Sequence, residues 1–189
     1  MNIKETFKPI EGFNSYEVSN LGRIKSYISG KILKNCASKH KDGKIKEASV
    51  NLYYAPKKKI TKRVSRLVAE SFFEDFTEDC NVLHIDGDKM NCNAYNLFLT
   101  KSARMTSCVQ SGMDTIYVGA HLSRGTGKTK PWRAAYMKEG KTIRIGEFED
   151  QFKAGMAYLD EIKKIDVDCY TDLINFYGRK GFHIATRHK

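Results

Sequence analysis

The pattern of apolar and polar positions in the first third of the chain predicts short strands followed by one helix. A turn signal, Asn-Leu-Gly at residues 20–22, separates two strand-like runs, and residues 29–35 and 47–55 indicate further short strands. From residue 57 to residue 73 the pattern is helical, because apolar side chains recur at the spacing of one helix face. The residues on this face are Val64, Leu67, Val68, Ser71 and Phe72.

The middle of the chain has the pattern of a strand, a tight turn, a polar loop and a returning strand. Residues 82–85 indicate the first strand, Asp-Gly-Asp at 86–88 the turn, and residues 97–99 the returning strand, with a short helix after it. The asparagines of the loop are Asn91, Asn93 and Asn96.

The clearest pattern follows, where strand-like runs precede a helical segment at residues 148–165 and Glu-Gly at 139–140 indicates a tight turn. The runs are 116–122, 131–137 and 141–148. The predicted apolar stripe of the helix is Phe152, Met156, Leu159 and either Ile162 or Lys163. Residues 170–178 indicate one short helix in the C-terminal tail.

Alternation along these strands predicts two faces of a sheet, since successive side chains of a strand point to opposite sides. The face that suits packing against the helix carries Trp132, Ala134, Tyr136, Ile143 and Ile145. The outward face carries Arg133, Ala135, Met137, Thr142 and Arg144, with His121 and Ser123 from the first strand.

The net charge of the chain indicates a class of binding partner. The chain of 189 residues has 33 Lys and Arg against 22 Asp and Glu, a net charge of +11, which favours a polyanion such as nucleic acid; a basic protein without such a partner is the alternative. In the densest basic stretch the alternatives are phosphate contact and a solvated charged face. Its cations are Lys57, Lys58, Lys59, Lys62, Arg63 and Arg66.

The sequence also indicates several classes to which we expect the protein not to belong. The sequence lacks a run of 18 apolar residues and begins without an apolar signal core, so we expect no membrane span and a cytoplasmic location. The five cysteines are odd in number and contain no CxxC spacing, which favours reduced thiols over a zinc site or a disulfide framework.

Three segments resemble a known family, the phage-type HNH homing endonucleases. Residues 13–26 (FNSYEVSNLGRIKS) resemble the N-terminal module of these enzymes, and RLVA at 66–69 with LHIDGDKMNCNAYNL at 83–97 resembles their HNH core. Residues 118–158 resemble the Apetala-type DNA-binding domain that such enzymes carry C-terminally, and the matching positions include Trp132 and Phe148.

The resemblance implies an α+β fold of small modules in series. These are a β-rich DNA-associated module with the start of a basic helix at 1–66, a ββα HNH-like core at 67–112, a three-stranded antiparallel sheet with a helix at 113–164, and a basic tail at 165–189.

The resemblance also implies a nuclease centre in which His84 is the general base and Asn96 orients its ring. A divalent metal, Mg²⁺ or Mn²⁺, neutralises the scissile phosphate in active members of the family. The expected ligand positions hold Leu83 and either Arg104 or Met105, none of which suits a hard cation. Either the centre is disabled and holds no cofactor, or the weak candidates Asp86 and Asp88 supply replacement ligands.

Contacts with double-stranded DNA are predicted in three regions. Arg133 and Arg144 are expected to contact bases or the backbone, since an arginine in the major groove can donate two hydrogen bonds to a guanine; ordinary surface arginines are the alternative, and His121 shares their face. The residues expected on phosphates are Lys128 and Lys130 in the Apetala-type segment and Lys62 and Arg63 in the basic stretch, while the resemblance places Arg23 and Lys25 of the N-terminal module along the duplex.

The leading hypothesis is therefore a sequence-specific duplex DNA-binding protein with a degenerate nuclease site, acting in the cytoplasm of a host cell if it is viral. An active metal-dependent nickase is the first alternative, and a scaffold that binds RNA or a protein complex is the second. The hypothesis includes neither a membrane nor a small-molecule substrate as a partner.

Binding to duplex DNA is predicted to weaken steeply with salt, because the basic stretch would displace counterions from the phosphates. If six or more phosphates are neutralised, the logarithm of the association constant falls against the logarithm of salt concentration with a slope of about −5 or steeper. Fluorescence anisotropy across a salt series measures this slope, and a slope near zero would contradict the electrostatic interpretation.

Overall fold

The computed structural model describes residues 4–39, 45–110, 117–123 and 129–181. The chain divides into two compact units, Met1–Leu99 and Thr100–Lys189. Both combine antiparallel strands with helices, so the predicted α+β class is confirmed. Within the described part of the chain, no helix has the length and apolar character that a membrane crossing requires.

The first unit begins with a sheet of four antiparallel strands in chain order. They are β1 (Phe7–Pro9), β2 (Tyr16–Ser19), β3 (Ile24–Ser26) and β4 (Ile32–Leu33). The predicted turn at 20–22 lies between β2 and β3, where Gly22 has a φ of 79°. Glycine suits this site because the left-handed backbone is costly for residues with a Cβ.

A second sheet follows, and it corrects the prediction of a helix from residue 57. Its strands are β5 (Cys36–Lys39), β6 (Ile45–Ala55) and β7 (Lys58–Arg63). The basic run is therefore a strand, in which Leu52 pairs with Ile60 and Asn51 with Thr61. The β-branched side chains of Ile60 and Thr61 favour a strand there, and the sheet pairing outweighs the helical spacing of the apolar residues beyond.

Helix α1 (Val64–Phe72) starts directly after this strand, and its inner face agrees with the predicted stripe at Val64, Leu67 and Val68. These side chains share one hydrophobic core with residues from both sides of position 66. The core includes Tyr16, Val18, Ile24, Val50, Leu52, Val64, Leu67, Val68, Cys92 and Leu97. The boundary predicted between 66 and 67 therefore does not separate two hydrophobic cores.

The middle segment has the predicted strand–turn–strand form. Strand β8 (Asn81–His84) pairs with β9 (Leu97–Thr100), and a single 3-10 turn at Ala94–Asn96 precedes β9. Helix α2 (Ala103–Gln110) follows in the second unit.

The second unit contains the predicted three-stranded sheet. Its strands are β10 (Ala120–Leu122), β11 (Trp132–Lys138) and β12 (Lys141–Phe148), in that order. The tight turn between β11 and β12 is confirmed, with Glu139 at a φ of 51° and Gly140 at 75°.

Helix α3 (Gln151–Ile165) is capped at its N-terminus by Asp150, whose carboxylate accepts a hydrogen bond from the Lys153 amide at 2.7 Å. Its buried residues are Ala154, Gly155, Tyr158, Leu159 and Ile162. The predicted stripe was thus wrong at Phe152, which is 55% exposed. A Cβ at Gly155 would lie 2.6 Å from the Tyr117 Cβ, so glycine is needed at this point, where the chain approaches the helix closely.

The segment predicted as a tail continues as helix α4 (Val167–Arg179), which is longer than the short helix expected. Cys169, Leu173, Phe176 and Tyr177 are buried along it. The Tyr177 hydroxyl accepts from the Val118 amide at 2.6 Å, so this helix belongs to the folded second unit. The expected basic end, 182–189, lies outside the described residues.

Gly119→Ala is predicted to destabilise the second unit far more than Gly140→Ala. Both glycines have a positive φ, 78° and 75°, so each substitution costs about 1 kcal/mol of backbone strain. Only at Gly119 would the new Cβ overlap the Tyr158 ring, while Gly140 has nothing within 4 Å. Overpacking brings the cost at Gly119 to about 3 kcal/mol. Chemical denaturation measures both values, and equal values would contradict the close approach to Tyr158.

Candidate nuclease centre and nucleic-acid interface

The turn after β8 is held by the carboxylate of Asp86, which accepts three hydrogen bonds. The donors are the Asp88 amide at 2.8 Å, Asn91 Nδ2 at 2.7 Å and Asn96 Nδ2 at 2.8 Å. The Asp88 carboxylate in turn accepts from the Met90 amide at 2.9 Å. Both carboxylates proposed as weak metal ligands therefore already stabilise the turn.

The Asn96 side chain also belongs to this turn. Its Nδ2 donates to the Asn91 carbonyl at 2.8 Å as well as to Asp86, and its Oδ1 accepts from the Asp86 amide at 3.0 Å. These bonds engage the nitrogen and the oxygen of the amide, so Asn96 shapes the turn after His84, and its expected role of orienting the imidazole stays a prediction. Its backbone carbonyl accepts from the Ile85 amide at 2.8 Å and so fixes the end of β8.

His84 is half-buried at the end of β8, and its Nε2 lies 3.9 Å from Cys92 Sγ. Burial lowers the pKa of His84, although the nearby Asp86 and Asp88 carboxylates act in the opposite direction. The imidazole is therefore neutral near pH 7 and able to accept a proton, as a general base requires. Burial raises the pKa of Cys92 to about 12, so its thiol is protonated beside this imidazole.

The positions expected to hold metal ligands are used for packing. Leu83 is 2% exposed and Met105 is fully buried. The Arg104 guanidinium pairs with Asp166 at 3.4 Å, donates to the Met137 carbonyl at 2.8 Å and lies over the Tyr136 ring. Arg104 and Met105 thus contribute to the second unit's own structure.

These residues do not fit a hard divalent cation. Magnesium requires a nearly octahedral set of oxygen ligands, whereas Leu83 has no donor atom and Arg104 is itself a cation. Among the described residues, no group of three or more His, Cys, Asp and Glu side chains could hold a metal ion.

The second candidate surface is the outward face of the sheet β10–β11–β12. His121 pairs with Arg133, and Arg133 pairs with Glu147, so these three side chains form a row across the strands. Burial and the neighbouring Arg133 charge lower the pKa of His121. The Nε of Arg133 is shielded from solvent and has no hydrogen-bond partner among the described residues. A bound acceptor could satisfy this donor.

Arg144 joins this face, as predicted, because it pairs with Ala135 on β11. Glu147 was missed, since regular alternation from Arg144 places it on the inner face. The register between β11 and β12 is irregular at this point. Ala134 pairs with Gly146 and Ala135 with Arg144, which leaves Ile145 without an opposite residue. The isolated Gly146 within the strand pattern was the available signal for a bulge.

The remaining predicted contacts are distributed over both units. Ser123 is buried rather than outward, while Lys130 is exposed and Lys128 lies outside the described residues. In the first unit Arg23 pairs with Glu5, Arg63 pairs with Glu47 at 2.9 Å, and the ammonium groups of Lys25 and Lys62 lie over aromatic rings. Lys57, Lys58 and Lys59 are exposed around the β6–β7 turn.

Comparison with known proteins places this geometry in a family. Residues 5–47 match the model of the NUMOD4 motif. The DNA endonuclease I-HmuI of Bacillus phage SP01 is 40% identical over 142 residues, which cover 74% of this chain and 71% of that protein. A solved structure of DNA binding and cleavage by the HNH homing endonuclease I-HmuI has 38% identity, a TM-score of 0.44, and coverage of 50% of this chain and 52% of that one. The chain belongs to the HNH homing endonuclease family.

A second relative of this HNH homing endonuclease chain is an uncharacterized HNH endonuclease of Acanthamoeba polyphaga mimivirus. The two are 33% identical over 113 residues, which cover 57% of this chain and 26% of the length of the viral protein.

The imidazole of His84 is predicted to titrate below its ordinary pKa of 6.5, because burial disfavours the charged form. Since the unfolded state binds this proton more readily, the free energy of unfolding of the first unit falls as pH drops from about 6.5 through the folded pKa. NMR titration measures the pKa directly. The His84→Gln variant loses this part of the pH dependence, so an unchanged stability profile in that variant would contradict the assignment.

Proposed function

We propose that this member of the HNH homing endonuclease family binds duplex DNA at a preferred sequence and that its nuclease centre is disabled. The observation that carries the proposal is Leu83, a buried apolar side chain at the position before the candidate general base where the family pattern requires a ligand. We expect the protein to act in the cytoplasm of a phage-infected cell, in keeping with its phage relative.

The chemistry of phosphodiester hydrolysis supports a disabled centre. A general base accelerates a reaction by about 10²–10⁴-fold, which is far less than the hydrolysis of this bond requires. The remainder depends on a metal that neutralises the phosphate and stabilises the leaving oxygen. In this chain the neutral His84 could still accept a proton, but the Asp86 and Asp88 carboxylates serve the turn and Arg104 carries a positive charge.

The form of the second unit supports DNA recognition through an Apetala-type domain. Three antiparallel strands pack against α3, and the opposite face of the sheet presents His121, Arg133 and Arg144. Guanidinium groups on such a face can each donate two hydrogen bonds to a guanine edge. The exposed lysines around the β6–β7 turn add phosphate contacts that position the protein without reading sequence.

The wild-type protein is predicted to leave a bound supercoiled plasmid intact in Mg²⁺ or Mn²⁺, because the described residues include no ligand set for the metal. The double variant Leu83→Asp with Met105→Asn is predicted to recover nicking, and adding His84→Ala to it removes the recovered activity. A parallel variant places asparagine at position 104 instead of 105. Nicking is measured by conversion of supercoiled to open-circular DNA on the sequence selected by the wild type.

Matched variants separate restored chemistry from damage to the fold. The variant Leu83→Ala with Met105→Ala removes the same buried side chains without adding ligands. We expect its affinity for DNA to equal that of the restored variant, and we expect no nicking. Strong metal-dependent cleavage by the unmodified protein, abolished by His84→Ala, would contradict the disabled centre and make Asp86 and Asp88 the next ligands to test. Stronger binding to structured RNA than to duplex DNA in competition would contradict the choice of substrate.

A further inference from the structure

We propose that Glu147 is a specificity-determining residue of the second unit: its carboxylate positions the Arg144 guanidinium for base edges and disfavours seating of the sheet on phosphates. This inference rests on the proposed DNA-binding function and deepens it. Glu147 does not belong to the candidate nuclease centre, and its effect would be exerted through a neighbouring arginine.

The geometry depends on the irregularity in β12. In a regular strand, residues three apart point to opposite faces. Here Arg144 pairs with Ala135 and Glu147 pairs with Arg133, and these two partners lie on the same face of β11 because they are two residues apart. The extra residue, Ile145, therefore brings Arg144 and Glu147 onto one face. Bulges of this kind redirect side chains at functional surfaces.

The two side chains use this arrangement to form an ion pair, with 3.2 Å between Arg144 Nη2 and Glu147 Oε1. Their side chains are 56% and 39% exposed, and an ion pair so open to solvent contributes little to folding stability. The stability of this ion pair therefore does not account for the bulge that brings a carboxylate beside the arginines. A guanidinium has five donors, so a bond to Glu147 can fix its orientation while other donors remain available to a ligand.

The charge pattern of the row explains the expected selectivity. Phosphate contacts give affinity for every duplex, whereas base contacts give preference for one sequence. By holding Arg144 in an ion pair, the Glu147 carboxylate makes this guanidinium less available to phosphates while it orients the remaining donors toward a base edge. We therefore expect the sheet to lose affinity for random DNA and to retain affinity for a sequence whose base edges match this orientation of Arg144.

The experiment begins with selection of a preferred duplex from a random pool by the wild-type protein. Affinity for the selected and a random duplex is then measured for wild type, Glu147→Gln, Arg144→Ala and the double variant, across a salt series. We expect Glu147→Gln to lower the ratio of specific to random affinity by about tenfold. We also expect it to steepen the salt slope on random DNA by about 0.9, since the released Arg144 can neutralise one more phosphate.

The double variant tests whether Glu147 acts through Arg144. If it does, Glu147→Gln causes no further loss of discrimination once Arg144 is alanine. The matched control is Glu161→Gln, which changes the net charge equally and removes another ion pair between residues three apart, the Glu161–Lys164 pair of 3.1 Å on α3. Circular dichroism verifies that each variant remains folded.

The outcomes separate this inference from the proposed function. Loss of discrimination with Glu147→Gln but not with Glu161→Gln supports it, and equal behaviour of these two variants overturns it while DNA recognition stands. A further loss of discrimination in the double variant beyond that of Arg144→Ala would overturn the positioning role. If the wild type selects no duplex sequence at all, the proposed function fails, and this inference fails with it.

Discussion

The hydrogen bonds accepted by the Asp86 carboxylate hold together the part of the molecule on which the candidate nuclease centre depends. They join the Asp88 amide, Asn91 and Asn96 around a single turn. The turn sets where β8 ends and where β9 can begin its pairing, and His84 is the last residue of β8. Because Asp86 accepts three hydrogen bonds within the turn and Asp88 accepts one, the shape of the loop is fixed by its own donors and acceptors. This scaffold is therefore compatible with the proposed loss of metal ligands.

If the centre is disabled as proposed, that independence explains how it can persist within a well-formed fold. The side chains at the expected ligand positions are buried and apolar or form contacts within the second unit, so they contribute to packing. Leu83 adds a buried side chain, and Met105 does the same in the second unit. Under the proposed function, each of these buried side chains contributes to stability at a position that does not bind metal.

The sequence predicted the elements with strong periodicity and failed where longer-range pairing decided the outcome. The three-stranded sheet, its tight turn at Glu139 and the helix after it were predicted correctly, because alternation and turn chemistry are local. The strand at 58–63 was predicted as a helix because local spacing does not reveal its pairing with β6, although β6 itself was predicted as a strand at 47–55. In the candidate site, the turn at Asp86 could be predicted from its Asp-Gly-Asp signal, and the role of His84 as general base stays a prediction from motif resemblance. The hydrogen-bond partners of Asn96 and the same-face position of Glu147 could not, since both depend on a register that side-chain spacing does not encode.

The core shared by the N-terminal strands and α1 also bears on how such proteins evolve. The NUMOD4 match ends at residue 47, inside strand β6, which runs from Ile45 to Ala55. The unit recognised by sequence comparison therefore stops in the middle of a strand whose later residues, Val50 and Leu52, complete the core around Val18 and Ile24. A recombination event that moved only the recognised motif would transfer only part of this hydrophobic core to the recipient protein. A segment that carries this core whole is the first compact unit, Met1–Leu99, so the piece of chain that could be transferred with its interior complete is about twice as long as the recognised motif.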